Sequence, residues 1–455
     1  MNAHVSINAR NHGHRSVIEK KIRQLKHYDT VVKIDQIGER LNRTYTTILT
    51  KYSESSSTPS HNHHTENVTS QIGIFPKIVS SSGDEVGCYF LDRLEKDGLP
   101  IIHSAFIDIR DQQVVMVGVR RKNMSEFWEN ESFLCDFDNT RKSNLITVSD
   151  PILPDFQKVG HEEQGVVIIT CPVPIILQNH SALVFNLRRK SDPQRMYKDI
   201  TVCRNASPKR KHLKLAMCTM MKNMDRFVPD WLEYHKNLGV ERVYIYNNAK
   251  SDKLVHHLKT YVASGFVTVI PWTHTISVGK TYLETQIASE NDCIWRHRYE
   301  VEWMIKIDVD EFLQPMDPTR PKITDYFEDW YSTLGSIKLQ NWFFCPPPRG
   351  DPKRQIARRA KTIFERNMYR TLEPTELNRG RDKTIVHPVN VHYFKIHIVK
   401  WGSPAISLSP ISEIRMVHYR GDNPLHIGFC PHKLVRDTSM FDLWRSFSRK
   451  DMRKS

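Results

Sequence analysis

The patterning of this chain predicts an α/β fold with a mostly parallel sheet, preceded by a β-rich, sandwich-like domain. Three observations carry that expectation. Between about residues 71 and 205 short apolar runs recur with no helical stretch of comparable length among them. After Lys209-Arg210-Lys211 the period changes, and strand-like runs alternate with amphipathic helical segments. At 455 residues, 39% of them apolar, the chain is too long for one small fold and apolar enough to bury a sizeable core.

Residues 1–70 are polar and rich in His and Ser, including Ser53-Glu54-Ser55-Ser56-Ser57. Such a composition buries too little apolar surface to offset the entropy of ordering, so a disordered stem or linker is expected. From 71 to 208, Val86 to Phe90, Ile101 to Ile109, Val114 to Val119, Gly165 to Cys171 and Ala182 to Leu187 read as antiparallel strands of an accessory domain that forms its own unit. The domain from 209 to 430 opens with a strand at Leu213 to Met221, a helix at Val228 to Leu238 ended by Gly239, and a strand at Arg242 to Tyr246. A helix from Ser251 to Ser264, a strand at Phe266 to Ile270, a helix at Leu283 to Arg298 and a strand at Trp303 to Ile307 complete a βαβαβαβ series. Crossover helices make such strands parallel, and ligands then bind beyond their carboxyl ends. Residues 431–455 read as a basic tail.

Lys and Arg number 66 against 51 Asp and Glu, a net charge of +15, and Arg349 to Lys383 alone holds eleven basic residues against five acidic ones. An anionic partner fits that surplus, although a solvated basic surface is the ordinary reading. Nucleic acid is not expected, because no motif interleaves the basic residues with aromatic ones. No stretch approaches the ~20 apolar residues that span a bilayer and the first residues form no continuous apolar core, so the chain as written reads as soluble. Eight cysteines without metal-ligand spacing, and six N-x-[ST] sequons at Asn42, Asn67, Asn123, Asn130, Asn179 and Asn205, point instead to a secretory compartment.

The strand ending at Ile307 runs straight into Asp308-Val309-Asp310-Glu311, which puts carboxylates where the sheet's ligand crevice should open. Hard oxygen ligands suit Mg²⁺ or Mn²⁺ held against substrate phosphates. The chain supplies its own control: Asp136-Phe137-Asp138 has the same spacing, but in the β-rich part, where a turn is expected. Other nucleotide and hydrolase signatures fail. Val278-Gly279-Lys280-Thr281 lacks the Gly that a P-loop needs at 274, which is His274, and no G-x-G-x-x-G, G-x-S-x-G or H-E-x-x-H is present.

Five blocks in order, Leu215 to Asn223, Asp230 to His235, Leu238 to Asn248, Asn291-Asp292-Cys293 and Trp303 to Leu313, closely resemble glycosyltransferase family 92. Lys383 to Pro388, His397 and Val417-His418-Tyr419-Arg420 look similar too. The resemblance covers about half the chain. It implies a GT-A nucleotide-sugar-binding fold and an inverting, Mn²⁺- or other divalent-cation-dependent transfer of a sugar, with UDP-galactose the donor and a glycan the acceptor. On that reading Asp308, Asp310 and His418 hold the metal; Asn223, Asn247, Asn248, Asn291 and Lys383 line the donor; and Asp382, Glu376 and Glu373, with Asp422, make a shortlist for the general base. Met224 and Asn247 stand where the family often has acidic residues. Members usually carry a membrane anchor and act in the Golgi lumen; this chain shows no anchor, and Golgi lumen is the expected location. A catalytically silent lectin-like protein is the competing expectation, and a basic nucleic-acid-binding protein a more remote one.

Overall fold

The computed structural model describes residues 99–451 other than 109, 120–131, 138–144, 150–164, 181, 204–211, 223–227, 250–252, 274–281, 331, 349, 379, 421–429 and 431–432. The stem at 1–70, the strand expected at Val86 to Phe90, Asn223 and Asp422 lie outside these residues.

The first strands are β1 (Ile101–Asp108), β2 (Gln113–Val119), β3 (Phe133–Phe137), β4 (Leu145–Ser149), β5 (Val166–Pro172), β6 (Ala182–Arg189) and β7 (Met196–Cys203). They form two antiparallel sheets, β1-β2-β5 and β4-β3-β6-β7. Ile107, Met116, Phe133, Phe185 and Leu187 share the core between them, and the Cys135–Cys171 disulfide ties β3 to β5 across it. Asp136, expected in a turn, lies within β3, its carboxylate 3.5 Å from Arg188 of the neighbouring strand. That sheet is solvated on its outer face, where a polar residue can alternate with buried ones.

The next elements are β8 (Leu213–Met221), α1 (Val228–Asn237), β9 (Arg242–Asn247), α2 (Lys253–His257), α3 (Lys259–Ala263), β10 (Val267–Pro271), α4 (Tyr282–His297) and β11 (Val301–Lys306). The helix expected over Ser251 to Ser264 is broken at Leu258, whose φ of −98° and ψ of 10° leave the helical range. The side chain of Leu258 nevertheless stays buried with Leu254 and Val262, so one apolar face survives the break. Gly239 ends α1's final turn with a φ of 101°, a conformation in which a side chain would be strained.

The remaining elements are β12 (Glu311–Pro315), β13 (Ser336–Leu339), β14 (Asn341–Cys345), α5 (Lys353–Arg358), α6 (Ile363–Arg366), β15 (Tyr369–Arg370), β16 (Lys383–Val386), β17 (Val391–Lys395), β18 (Ile398–Gly402), β19 (Ala405–Ser407), β20 (Ile414–Tyr419), β21 (Val435–Arg436) and α7 (Ser439–Asp451). The central sheet has the order β10-β9-β8-β11-β16-β13-β19, and β16 alone runs against the rest. A second sheet, β12-β20-β14-β15-β21, adjoins it. The order reverses between β8 and β11, a topological switch point, and the crevice this opens lies beyond the carboxyl ends of those two strands.

Two expectations about independence change. The β-rich strands do not stand alone: Phe106, Val115, Val117 and Ile168, on the far face of β1-β2-β5, pack with Ile287, Ala288 and Ile294 of α4. The described residues accordingly belong to one compact unit. The stretch read as a basic tail carries α7, which buries Met440 and Phe447 in the core under α1 and stacks Trp444 on Phe364 at 4.8 Å.

Candidate active site

Four segments converge at the switch point because of register. β11 leaves the sheet as Lys306-Ile307-Asp308, and antiparallel β16 pairs Thr384 with Lys306, which brings Lys383 beside Asp308. A tight turn, closed by the Glu311 amide donating to the Asp308 carbonyl at 3.0 Å, leads into β12, where Glu311 stands opposite His418 of β20. α1 braces this turn. Its Trp231 Nε1 donates to the Glu311 carbonyl at 2.9 Å and its Tyr234 hydroxyl to the Leu313 carbonyl at 2.8 Å. His235 is fully buried and bonds the Trp231 carbonyl through Nδ1 at 2.8 Å.

Glu311, 1% exposed, is the hub. Its Oε2 accepts from the Asp308 amide at 2.8 Å and lies 2.9 Å from Lys383 Nζ, while its Oε1 lies 3.1 Å from His418 Nδ1. Lys383 Nζ also donates to Asp308 Oδ2 at 2.7 Å. Burial alone would depress the Lys383 ammonium, but the Asp308 and Glu311 carboxylates raise it above its usual range. Burial pushes the Glu311 carboxyl up, with Lys383 opposing. For Asp310 the balance is reversed: burial raises it, yet His418, Arg420 and Lys383 together hold it down at about 2. Beneath them Lys306 is brought down to about 8 by burial, opposed by Glu290 and Asp308.

This arrangement suits a hard divalent cation completed by its substrate. Among the described residues no three His, Cys, Asp or Glu side chains gather as a ready-made cage. Mg²⁺ and Mn²⁺ are commonly held by one or two carboxylates plus phosphate oxygens, and Asp308 and Asp310 each present an Oδ1 that accepts no bond from the described residues. His418 adds a specific fit. The ring lies between two carboxylates, Nδ1 3.1 Å from Glu311 Oε1 and Nε2 3.4 Å from Asp310 Oδ2. With a proton on Nε2 it pairs with Asp310; a divalent cation bound there would take that proton's place, and a carboxylate behind a ligating histidine is a recurrent support. Asn341 places Nδ2 3.1 Å from the same Nδ1 while its Oδ1 is buried without a partner; turning that amide over would satisfy both groups.

Other sequence-expected residues divide. Asn291 is fully buried and spent on structure: Nδ2 donates to the Ile287 and Phe394 carbonyls, and Oδ1 accepts from the Phe394 amide, so it fastens β17 to α4 rather than facing a ligand. Asn247 and Asn248 do lie at the carboxyl edge of the sheet, where Asn247 Oδ1 accepts from the Ala249 amide at 3.0 Å and Asn248 Nδ2 donates to the Trp272 carbonyl at 2.7 Å. Glu373 and Glu376 are exposed on the loop before β16. Asp382 is 1% exposed, accepts from the Asn378 amide through Oδ2 at 2.6 Å, and keeps a buried Oδ1 with no partner; burial raises its carboxyl. The bracing by Trp231 and Tyr234 escaped sequence reading, whereas Glu311, directly after the acidic pair, is legible there as either a ligand or a support for the ligands. Glu311 adjoins the acidic pair, but only the register with β20 shows that it points at His418 rather than at a ligand.

The family model for glycosyltransferase family 92 matches residues 213–453. A glycosyltransferase family 92 protein of Oryza sativa subsp. japonica is 35% identical over 106 residues, 23% of this chain and 17% of that protein. A galactan β-1,4-galactosyltransferase of Arabidopsis thaliana is 24% identical over 266 residues, 56% of this chain and 46% of that one. A β-1,4-galactosyltransferase of Caenorhabditis elegans is 28% identical over 114 residues, 24% of this chain and 26% of its own length. The chain thus spans less than half the length of each of these relatives. Among solved structures, Staphylococcus aureus TarS 1–349 with UDP is 12% identical across 47% of this chain and 61% of that one, at a TM-score of 0.26, too low to carry an argument. The matched span runs from the first residue of β8 through α7, taking in every strand and helix that builds the site, and is more than half of the 455 residues: this chain belongs to glycosyltransferase family 92.

Proposed function

We propose that the chain is an inverting, divalent-cation-dependent glycosyltransferase that moves galactose from UDP-galactose onto a glycan acceptor. The observation that carries this reading is the pairing of Asp308 and Asp310 with Lys383 and His418 at the switch point of a parallel sheet, in a family whose relatives include named galactosyltransferases. A bound divalent ion, held by Asp308 and Asp310 with His418 Nε2, would supply Lewis-acid stabilisation of the departing diphosphate. Lys383 contributes a fixed positive charge, and Glu311 holds Lys383 and His418 in place. The donor's uracil and ribose belong near the ends of β8 and β9, by Thr219 to Met221 and Tyr246 to Asn248. Of the base shortlist, Glu373 and Glu376 are the exposed carboxylates and so the ones an acceptor hydroxyl can reach, to give up its proton as its oxygen bonds the anomeric carbon and the bond to the diphosphate breaks, whereas Asp382 is sealed.

The disulfides Cys135–Cys171, Cys218–Cys293 and Cys345–Cys430 support a secretory location, for which the Golgi lumen is our proposal. The test is a screen of UDP- and GDP-sugars with Mn²⁺, reading donor hydrolysis and transfer to β-galactoside acceptors. UDP-galactose should lead and EDTA should silence it. A preference for another sugar overturns the donor, turnover in EDTA overturns the metal, and glycan binding without turnover of any donor would favour the lectin-like reading.

A further inference from the structure

β17 and β18 are joined by a two-residue turn, Ile396-His397, with Lys395 paired to Ile398. Ile396 has a φ of 51°, a region in which Gly or Asn is the usual occupant and which β-branched residues avoid. The turn is held there from several sides. Glu290 Oε2 accepts the Ile396 amide at 3.1 Å, Thr384 Oγ1 donates to the His397 carbonyl at 2.7 Å, and His397 Nδ1 bonds the Asp382 carbonyl at 2.7 Å. Asp382 and Thr384 flank Lys383, so the clamp fixes His397 next to the site. Strained residues held by their surroundings cluster at functional sites.

A carbonyl can only accept, so Nδ1 carries the ring proton and Nε2 is left as a lone-pair acceptor. The ring is partly exposed, and Nε2 has no partner among the described residues. Burial, together with nearby Lys383 and Arg381 and against Asp308, keeps the imidazole neutral, its pKa lowered to about 4. A neutral acceptor at the rim of a sugar-transfer site matches a hydroxyl donor, not a phosphate or a cation next to Lys383.

We infer that His397 is a specificity-determining residue whose Nε2 accepts a hydrogen bond from a hydroxyl of the bound carbohydrate. This rests on the glycosyltransferase reading above. The hydroxyl belongs either to the donor sugar or to the acceptor, and hydrolysis and transfer assays tell them apart.

Two substitutions separate recognition from bracing. His397→Asn keeps an amide N–H where Nδ1 stands, able to reach the Asp382 carbonyl, and removes the outer acceptor. His397→Gln keeps an acceptor near Nε2 and sacrifices the inner bond. Wild type and both variants are assayed with UDP-galactose and its deoxy analogues in hydrolysis, and with deoxy acceptors in transfer, alongside Tm. Expected is a wild-type preference of roughly ten- to a hundred-fold for one intact hydroxyl. His397→Asn should lose that preference with little change in Tm, while His397→Gln should keep most of it. Loss confined to donor analogues assigns the donor sugar, and loss confined to acceptor analogues assigns the acceptor. An active wild type whose selectivity survives in His397→Asn, or a Tm drop in His397→Gln with every substrate weakened alike, overturns the assignment and leaves a structural brace. A folded wild type that turns over no nucleotide sugar overturns the glycosyltransferase reading, and this inference falls with it.

Discussion

Asp308 and Glu311 share one lysine but not one environment, and that difference predicts different costs. The Asp308 side chain is 41% exposed, so its ion pair with Lys383 is solvent-screened, whereas Glu311 is sealed at 1%. Asp308→Asn should abolish turnover and weaken Mn²⁺ binding while shifting stability by less than ~1 kcal/mol. Glu311→Gln should impair the same functions and also cost about 3 to 5 kcal/mol, because Lys383 and His418 lose a buried partner. Mn²⁺ titration and denaturant unfolding of both variants check this, and equal stability losses would contradict it. A second buried carboxylate, Asp292, receives Ser104 Oγ at 2.5 Å, the Tyr246 hydroxyl at 2.6 Å and Arg296 Nε at 3.1 Å. Burial raises its carboxyl, but Arg296, Ser104 and Tyr246 outweigh that and hold it below the usual range. A folded-state value below the unfolded one means that this stabilisation is complete above the ordinary carboxylate range and drains away as pH falls through the lower, folded value. Asp292→Ala should therefore cost about 3 to 5 kcal/mol at neutral pH, because Arg296 loses its buried carboxylate, and flatten the acid limb of a Tm-against-pH curve.

At the scale of elements, the alternation from Leu213 to Ile307 was legible because each strand there is an apolar run and each helix carries a buried stripe, as with Val228, Trp231, Leu232 and Tyr234 of α1. The acidic end of β11 followed from the same pattern. β3, β4 and β7 were missed; Asp136 in β3 and Lys198 and Asp199 in β7 interrupt the apolar signal on their outer faces. β12 to β21 were beyond reach for a different reason: strands of two to six residues give too few positions for a period to show, and, apart from the β17–β18 hairpin, their partners lie far along the chain. One readable sign was overlooked. β2 and β5 are nearly continuous apolar runs, which mark burial on both faces, whereas β6 alternates. Close backbone contact outside the site is testable at Gly335, just before β13, where an added Cβ would meet the Ser403 carbonyl oxygen at 2.3 Å. Gly335→Ala should destabilise by about 1 to 3 kcal/mol, read as a lowered denaturant midpoint at unchanged slope.

For the whole molecule, the open question is whether the family domain can live without the β-rich strands before it. Its α4 turns Ile287, Ala288 and Ile294 toward Phe106, Val115, Val117 and Ile168, so removing the latter would bare an apolar helix face and sheet edge in water. The same cut would strip Ser104 from Asp292 and remove Phe106 from the face of the Arg296 guanidinium, which it covers at 4.1 Å. That polar network reaches Tyr246 at the carboxyl end of β9, so the damage would extend from the rear of α4 to the edge of the ligand crevice. Cys218–Cys293 would still tie α4 to β8, but a tether does not cover an apolar face. Residues 209–455 expressed alone should therefore aggregate or bind a hydrophobic dye, and the full chain should unfold in one transition rather than two. Size-exclusion chromatography of the fragment and calorimetry of the full chain decide the matter: a monomeric fragment that unfolds cooperatively and turns over a nucleotide sugar would show that the accessory strands are dispensable.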